Sequence, residues 1–76
     1  MELRNGMRVM CKMDYERRKV GGLYGTIVDY IDNESYNVGV KFDTFVSGHS
    51  CDGNCEKGYG WYVPRSHLVP AFPSLR

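Results

Sequence analysis

The amino-acid sequence predicts an all-β fold: a small five-stranded barrel carrying one long irregular loop. Three observations predict it. Apolar and polar residues alternate over runs of strand length instead of recurring at helical spacing. Glycine and tyrosine are abundant, at nine and six residues, while alanine occurs once, at Ala71; that bias favours strands and turns over helices. The chain has 76 residues, enough for one domain with one thin core. Five short strands in so small a chain do not hold as a flat sheet with one wet face, whereas curling closes the core and hides the edges.

The elements follow in order. In Gly6-Met7-Arg8-Val9-Met10-Cys11-Lys12-Met13 the residues Met7, Val9, Cys11 and Met13 share one face, with Arg8 and Lys12 opposite, as in a half-buried strand. Met10 interrupts the polar face and suggests an edge position. Residues 14–22 read as a polar loop, and Gly21-Gly22 supply left-handed backbone at low steric cost. A second strand runs from Tyr24 to Ile31, where Gly25 marks a bend or close packing. Asp32-Asn33-Glu34-Ser35 is a turn. In the third strand, Tyr36 to Asp43, Tyr36, Val38, Val40 and Phe42 face inward and Asn37, Lys41 and Asp43 outward, so the second and third strands form an antiparallel hairpin. Residues 44–60 are irregular, and a loop that long in so small a domain is usually functional, metal-clipped or disordered. Trp61-Tyr62-Val63 is a short strand, Pro64-Arg65-Ser66-His67 a single tight helical turn with proline preset at its start, and Leu68-Val69 the last strand. The divisions are a lead-in at 1–5, the barrel at 6–70 and a tail at 71–76. The expected core is Val9, Ile27, Val38, Val40, Phe42, Trp61, Val63 and Leu68.

The chain is 42% hydrophobic and 25% charged, too apolar for disorder and too interrupted for a membrane span. Its net charge of +1 provides no global field for nucleic acid or lipid. The charge is uneven, however: residues 1–25 carry +3 and residues 26–76 carry −2, with Arg17-Arg18-Lys19 the densest basic run. Met1-Glu2-Leu3-Arg4 leads into structured sequence without an apolar leader. The odd count of three cysteines argues against a secreted disulfide scaffold, so a reducing, cytoplasmic setting is expected.

Gly6-Met7-Arg8-Val9, Gly22-Leu23-Tyr24-Gly25-Thr26-Ile27-Val28, Val38-Gly39-Val40-Lys41-Phe42-Asp43 and Pro64 to Leu68 together resemble SH3-like barrels, an outline shared with Mind-bomb/HERC-type and KOW-like domains. The resemblance covers most of residues 6–70 and implies the fold more than any function. From Val40 to Asp43, Gly48 to Gly53 and Gly58 to Pro64 the chain is also similar to small bacteriophage and prophage proteins of no settled activity. That likeness implies a phage-type accessory protein, with a host bacterial protein as partner and the host cytoplasm as its location. Peptide-binding SH3 domains are a poorer match. The Ala-Leu-Tyr-Asp-Tyr signature of their first strand is absent, and the loop that is usually acidic is basic here.

The sharpest chemical signal is His49-Ser50-Cys51-Asp52-Gly53-Asn54-Cys55. Three soft ligands within seven residues, His49, Cys51 and Cys55, are of the type that holds zinc, with Asp52, His67 or Cys11 as a fourth. The C-x3-C spacing and the lack of a second cysteine pair favour a different reading over zinc, with a third ranked behind zinc. In the favoured reading Cys51 is a small buried side chain and His49 caps a turn, with no cofactor at all; in the third Cys51 and Cys55 form a reversible disulfide. An enzyme is not expected, because a nucleophilic cysteine needs a base, an oxyanion site and a water-excluding cleft. Arg4, Arg8, Lys12, Arg17, Arg18 and Lys19 with Tyr15 and Tyr24 suit a single-stranded nucleic acid, but the pI near 7.7 is well below that of a dedicated binder. The preferred expectation is a binding module for a protein partner, using Tyr15, Arg17, Arg18, Tyr59 and Tyr62, since Tyr and Arg are favoured at interface hot spots.

Overall fold

The computed structural model describes residues 3–30 and 37–71. The turn expected at 32–35, Ile31, Tyr36 and all of the tail beyond Ala71 lie outside the described residues.

The chain is all-β. Strands β1 (Arg8–Cys11), β2 (Tyr24–Asp29), β3 (Asn37–Phe42), β4 (Gly60–Pro64) and β5 (Leu68–Pro70) form one antiparallel sheet of order β4-β3-β2-β1-β5. A 3-10 turn at Arg65–His67, entered through Pro64, joins β4 to β5. The expected hairpin is the β2–β3 pair, with Ile27 opposite Val40 and a register shift between Ile27 and Asp29. β1 pairs with β2 on one side and β5 on the other, so Met10 sits in a central strand and not at an edge.

Strand order and connection length together set the shape. Five strands laid flat would separate β4 from β5 by about 19 Å at the usual strand spacing. The link from Pro64 to Leu68 spans at most about 14 Å even when fully extended. The sheet therefore coils so that its two end strands approach one another.

Alternation decides which side chains fill the inside of that coil. Val9, Ile27, Val38, Val40, Phe42, Val63 and Leu68 are buried as expected. Trp61 is covered less completely than the others. It lies opposite Val40, as Val63 lies opposite Val38, so it takes the inward face, but on an end strand it packs against the core while remaining half-buried. Two core residues fall in segments read as lead-in and polar loop: Leu3 and Val20 are both buried. Met13 is 50% exposed: β1 ends at Cys11, and the Lys12 N–H, donating to the His67 carbonyl at 2.7 Å, is the last bond in register with β5 before it. Gly25 supports close packing: a Cβ there would lie 2.6 Å from the Lys41 carbonyl oxygen and 2.7 Å from Val40 Cγ1. Among the described residues no helix is long and apolar enough to cross a membrane.

Candidate functional site: a basic and aromatic groove beside a dithiol turn

The connection between β1 and β2 folds back on the sheet as a narrow finger. Cys11 and Leu23 close its base, with the Cys11 N–H on the Leu23 carbonyl at 3.0 Å and the Gly22 N–H on the Cys11 carbonyl at 2.7 Å. Asp14 Oδ1 accepts the Gly21 N–H at 2.8 Å. At the tip, Tyr15 and Arg18 exchange backbone hydrogen bonds of 3.1 and 2.9 Å around Glu16, whose φ of +57° is left-handed. Burial of Val20 pins the finger to the core. The tip therefore presents Glu16, Arg17, Arg18 and Lys19 as one wall.

The facing wall is the segment just after β3. The Val46 and Gly48 N–H groups both donate to the Gly58 carbonyl, at 2.9 and 3.1 Å, which folds the long loop back against the start of β4. Ser47 in this wall also has a left-handed φ of +57°. Phe45 lies across Gly58 and meets Tyr59 edge-on at 5.8 Å, yet remains 62% exposed.

Between the walls runs an open groove of ≈ 1010 Å³, completed by Leu23 and Trp61. The Trp61 indole N–H donates to the Val46 carbonyl at 3.3 Å, which fixes the ring. The Arg18 guanidinium lies 4.2 Å from the Trp61 ring centre and 5.3 Å from that of Tyr15, an arrangement that adds cation–π attraction to charge. Tyr15 in turn meets His67 edge-on at 5.6 Å. The groove wall thus carries three cations, and its carboxylate, Glu16, lies 3.5 Å from Arg18.

Four of the five residues expected at a partner surface gather here. Arg17 and Arg18 line the groove, Tyr15 supports Arg18, and Tyr59 supports Phe45. Tyr62 does not join them. Neighbours on a strand face opposite ways, and Tyr62 stacks over Gly39, donating its hydroxyl to Asp29 Oδ2. That bond to a carboxylate, reinforced by burial, holds the Tyr62 phenol well above its ordinary range. Phe45, Val46, Leu23 and Ser47 were not singled out in the sequence. The one signal for them was Phe45 itself, a large aromatic in a glycine-rich segment without alternation.

His49, Cys51 and Cys55 occupy a tight turn at the edge of β4. His49 bridges Gly60 through backbone hydrogen bonds of 2.8 and 2.9 Å. Its ring touches Trp61 edge-on at 5.1 Å and Tyr62 at 5.4 Å. His49 Nδ1 accepts the Cys51 N–H at 2.9 Å, which is the capping role. Cys51 is fully buried, and its thiol faces the Val40 carbonyl at 3.8 Å. Burial, and next the neighbouring Cys55, push the Cys51 thiol up to about 12. Of the further ligand candidates, Cys11 is buried in β1 and donates its thiol to the Met13 carbonyl at 3.2 Å, Asp52 is exposed, and His67 lies against Tyr15. Among the described residues no three His, Cys, Asp or Glu side chains converge as a metal-binding group.

Arg8, expected on the basic surface, is engaged elsewhere: its guanidinium reaches Asp43 Oδ1 and Oδ2 at 2.8 and 2.6 Å and Thr26 Oγ1 at 3.1 Å. No family model, curated protein or solved structure matches this chain.

Proposed function

We propose that this chain is a non-enzymatic binding module whose groove takes an acidic segment of a protein partner, with one apolar side chain of that segment seated between Phe45 and Trp61. The observation that carries the reading is the pairing of a preorganised aromatic floor with a cationic wall. Phe45 and Trp61 are each held by contacts within the chain, so little side-chain freedom is left to lose on binding. Arg17, Arg18 and Lys19 complement carboxylates, and Arg18 is already desolvated on one face by Trp61. Left-handed backbone at Glu16 and Ser47, one on each wall, is of the kind found where a surface is shaped for a ligand. The strand order and the 3-10 turn before the last strand support the SH3-like reading, and the likeness to phage proteins supports a host bacterial protein as the source of the segment.

The test uses defined probes. Short acidic peptides, each carrying one leucine, phenylalanine or tryptophan, are titrated into the labelled protein and followed by backbone amide shifts. The expected result is shifts confined to residues 16–19, 45–47 and 61, with affinity lowered at least about tenfold in Arg18→Glu and in Trp61→Ala, as hot-spot truncation does. Absence of shifts with every acidic peptide, or stronger groove shifts with a deoxythymidine oligonucleotide, overturns the reading; the second outcome assigns the groove to nucleic acid.

A further inference from the structure

We propose that Cys51 and Cys55 are a dithiol modification site, which reacts with a low-molecular-weight disulfide and closes to an intramolecular Cys51–Cys55 bond. The site is set by geometry and is independent of what the groove binds.

The two sulfurs share one place in the fold. A Cβ built on Gly60 would lie 2.7 Å from Cys51 Sγ and 2.7 Å from Cys55 Sγ, so the sulfurs are separated by no more than twice that distance. The strand beneath them bears no side chain at the one position where a side chain would fill the space they occupy. The turn that brings them together is already locked. Cys51, Asp52 and Gly53 have left-handed φ values of +49°, +59° and +87° in succession. Ser50 accepts the Cys55 N–H on its carbonyl at 3.0 Å and the Gly53 N–H on Oγ at 3.0 Å. The Cys51 carbonyl accepts from the Asn54 backbone at 3.2 Å and from the Asn54 side-chain amide at 2.8 Å. Bond formation across a preset turn costs little further chain entropy.

Exposure fixes the order of events. Cys55 is half-exposed and Cys51 is fully buried, so an external disulfide meets Cys55 first. The Cys55 thiolate attacks one sulfur of the reagent, forming a mixed disulfide and releasing one thiolate, which takes up a proton. The Cys51 sulfur then gives up its proton and attacks Cys55 Sγ, releasing the second reagent thiol. Two protein thiols are oxidised, one reagent disulfide is reduced to two thiols, and both protons end on the released thiols. Both steps need a thiolate, so both speed up as pH rises, and burial of the Cys51 thiol carries that rise to higher pH in the second step. Cys11 takes no part: it is buried in β1 with its thiol on the Met13 carbonyl.

The folded protein is incubated with oxidised glutathione at pH 8 and followed by intact mass and peptide mapping. The expected result is loss of two of the three thiols, a mass lower by two hydrogens, and a Cys51–Cys55 linked peptide. In Cys51→Ala the glutathione adduct persists on Cys55, and in Cys55→Ser the protein stays unmodified. A persistent adduct on Cys55 of the unsubstituted protein, a bond to Cys11, a disulfide-linked dimer, or thiols that remain unreacted would each overturn the proposal. Should either variant fail to fold, the mass and map of the unsubstituted protein decide alone.

Discussion

Arg8 ties three elements together with one side chain. From β1 it reaches Thr26 on β2 and the Asp43 carboxylate just after β3, holding the latter with two parallel hydrogen bonds. Hydrogen bonding by that fork, and secondarily its charge, pulls the Asp43 carboxyl below its ordinary range. A carboxyl lowered on folding stabilises the folded state above its unfolded pKa of about 3.9, and that contribution disappears as pH falls through the lower, folded value. The pair is substantially exposed, at 40% and 50%, so solvent screens it and its net contribution is small. Asp43→Asn should accordingly lower stability slightly at pH 7 and flatten the loss of stability below about pH 4, read from urea midpoints across pH. An unchanged acid profile would show that another carboxylate governs it. The sequence places Arg8 and Asp43 on outward faces, which is as far as alternation reaches. That they meet depends on the β1–β2 and β2–β3 registers, and those are set by pairing between distant segments. His49 and Cys51 were easier to read, because a cap two residues long is local chemistry.

At the scale of elements, the strands were legible because one period determines them. The three-residue 3-10 turn was legible too, because proline at its entry has few other uses. The two connections that make the groove were not. Residues 14–22 look polar, yet Val20 is buried and drags the segment back onto the sheet. The segment after β3 lacks alternation because its hydrogen bonds run to Gly58 and Gly60, ten to twelve residues onward. Gly58 is where that folding is most sensitive. It has a φ of +102° and lies directly beneath the Phe45 ring, so Gly58→Ala meets both backbone strain and a clash. A cost of about 1–3 kcal/mol is expected in denaturant titration, with Phe45 and Tyr59 resonances displaced and groove affinity reduced. Gly53→Ala is the comparison: its φ is +87° but nothing lies within 4 Å of the added Cβ. It should show only the backbone cost of about 1 kcal/mol and leave the groove intact. Equal effects of the two substitutions would mean that Phe45 is not held by Gly58.

Across the whole molecule, the sequence conveyed which residues face inward but not how evenly the coil encloses them. Trp61 shows the difference. Its alternation with Val63 is correct, and both pair with β3 residues of the core, yet Val63 is buried and Trp61 stands half in the groove. An inward-facing residue near the rim of a coiled sheet is covered only if some other segment reaches it. Here the finger after β1 lays the Arg18 guanidinium over the ring. The same incompleteness that leaves part of Trp61 uncovered makes it the floor of a binding surface.

The β1–β5 pairing also has a mechanical meaning. Arg8 accepts the Ala71 N–H at 2.9 Å on its carbonyl, and the rungs run Val9–Pro70, Met10–Val69 and Cys11–Leu68. Tension applied through Met7 and Ala71 therefore loads one end of the ladder and parts it rung by rung, like a zip. Tension applied through Met13 and Ala71 pulls along the same rungs from opposite ends and must shear them together. Single-molecule stretching should find a distinctly lower rupture force for the first pair of handles than for the second, and equal forces would place the resisting structure elsewhere. Under load this sheet has a soft direction, and it points along the line by which the chain enters and leaves.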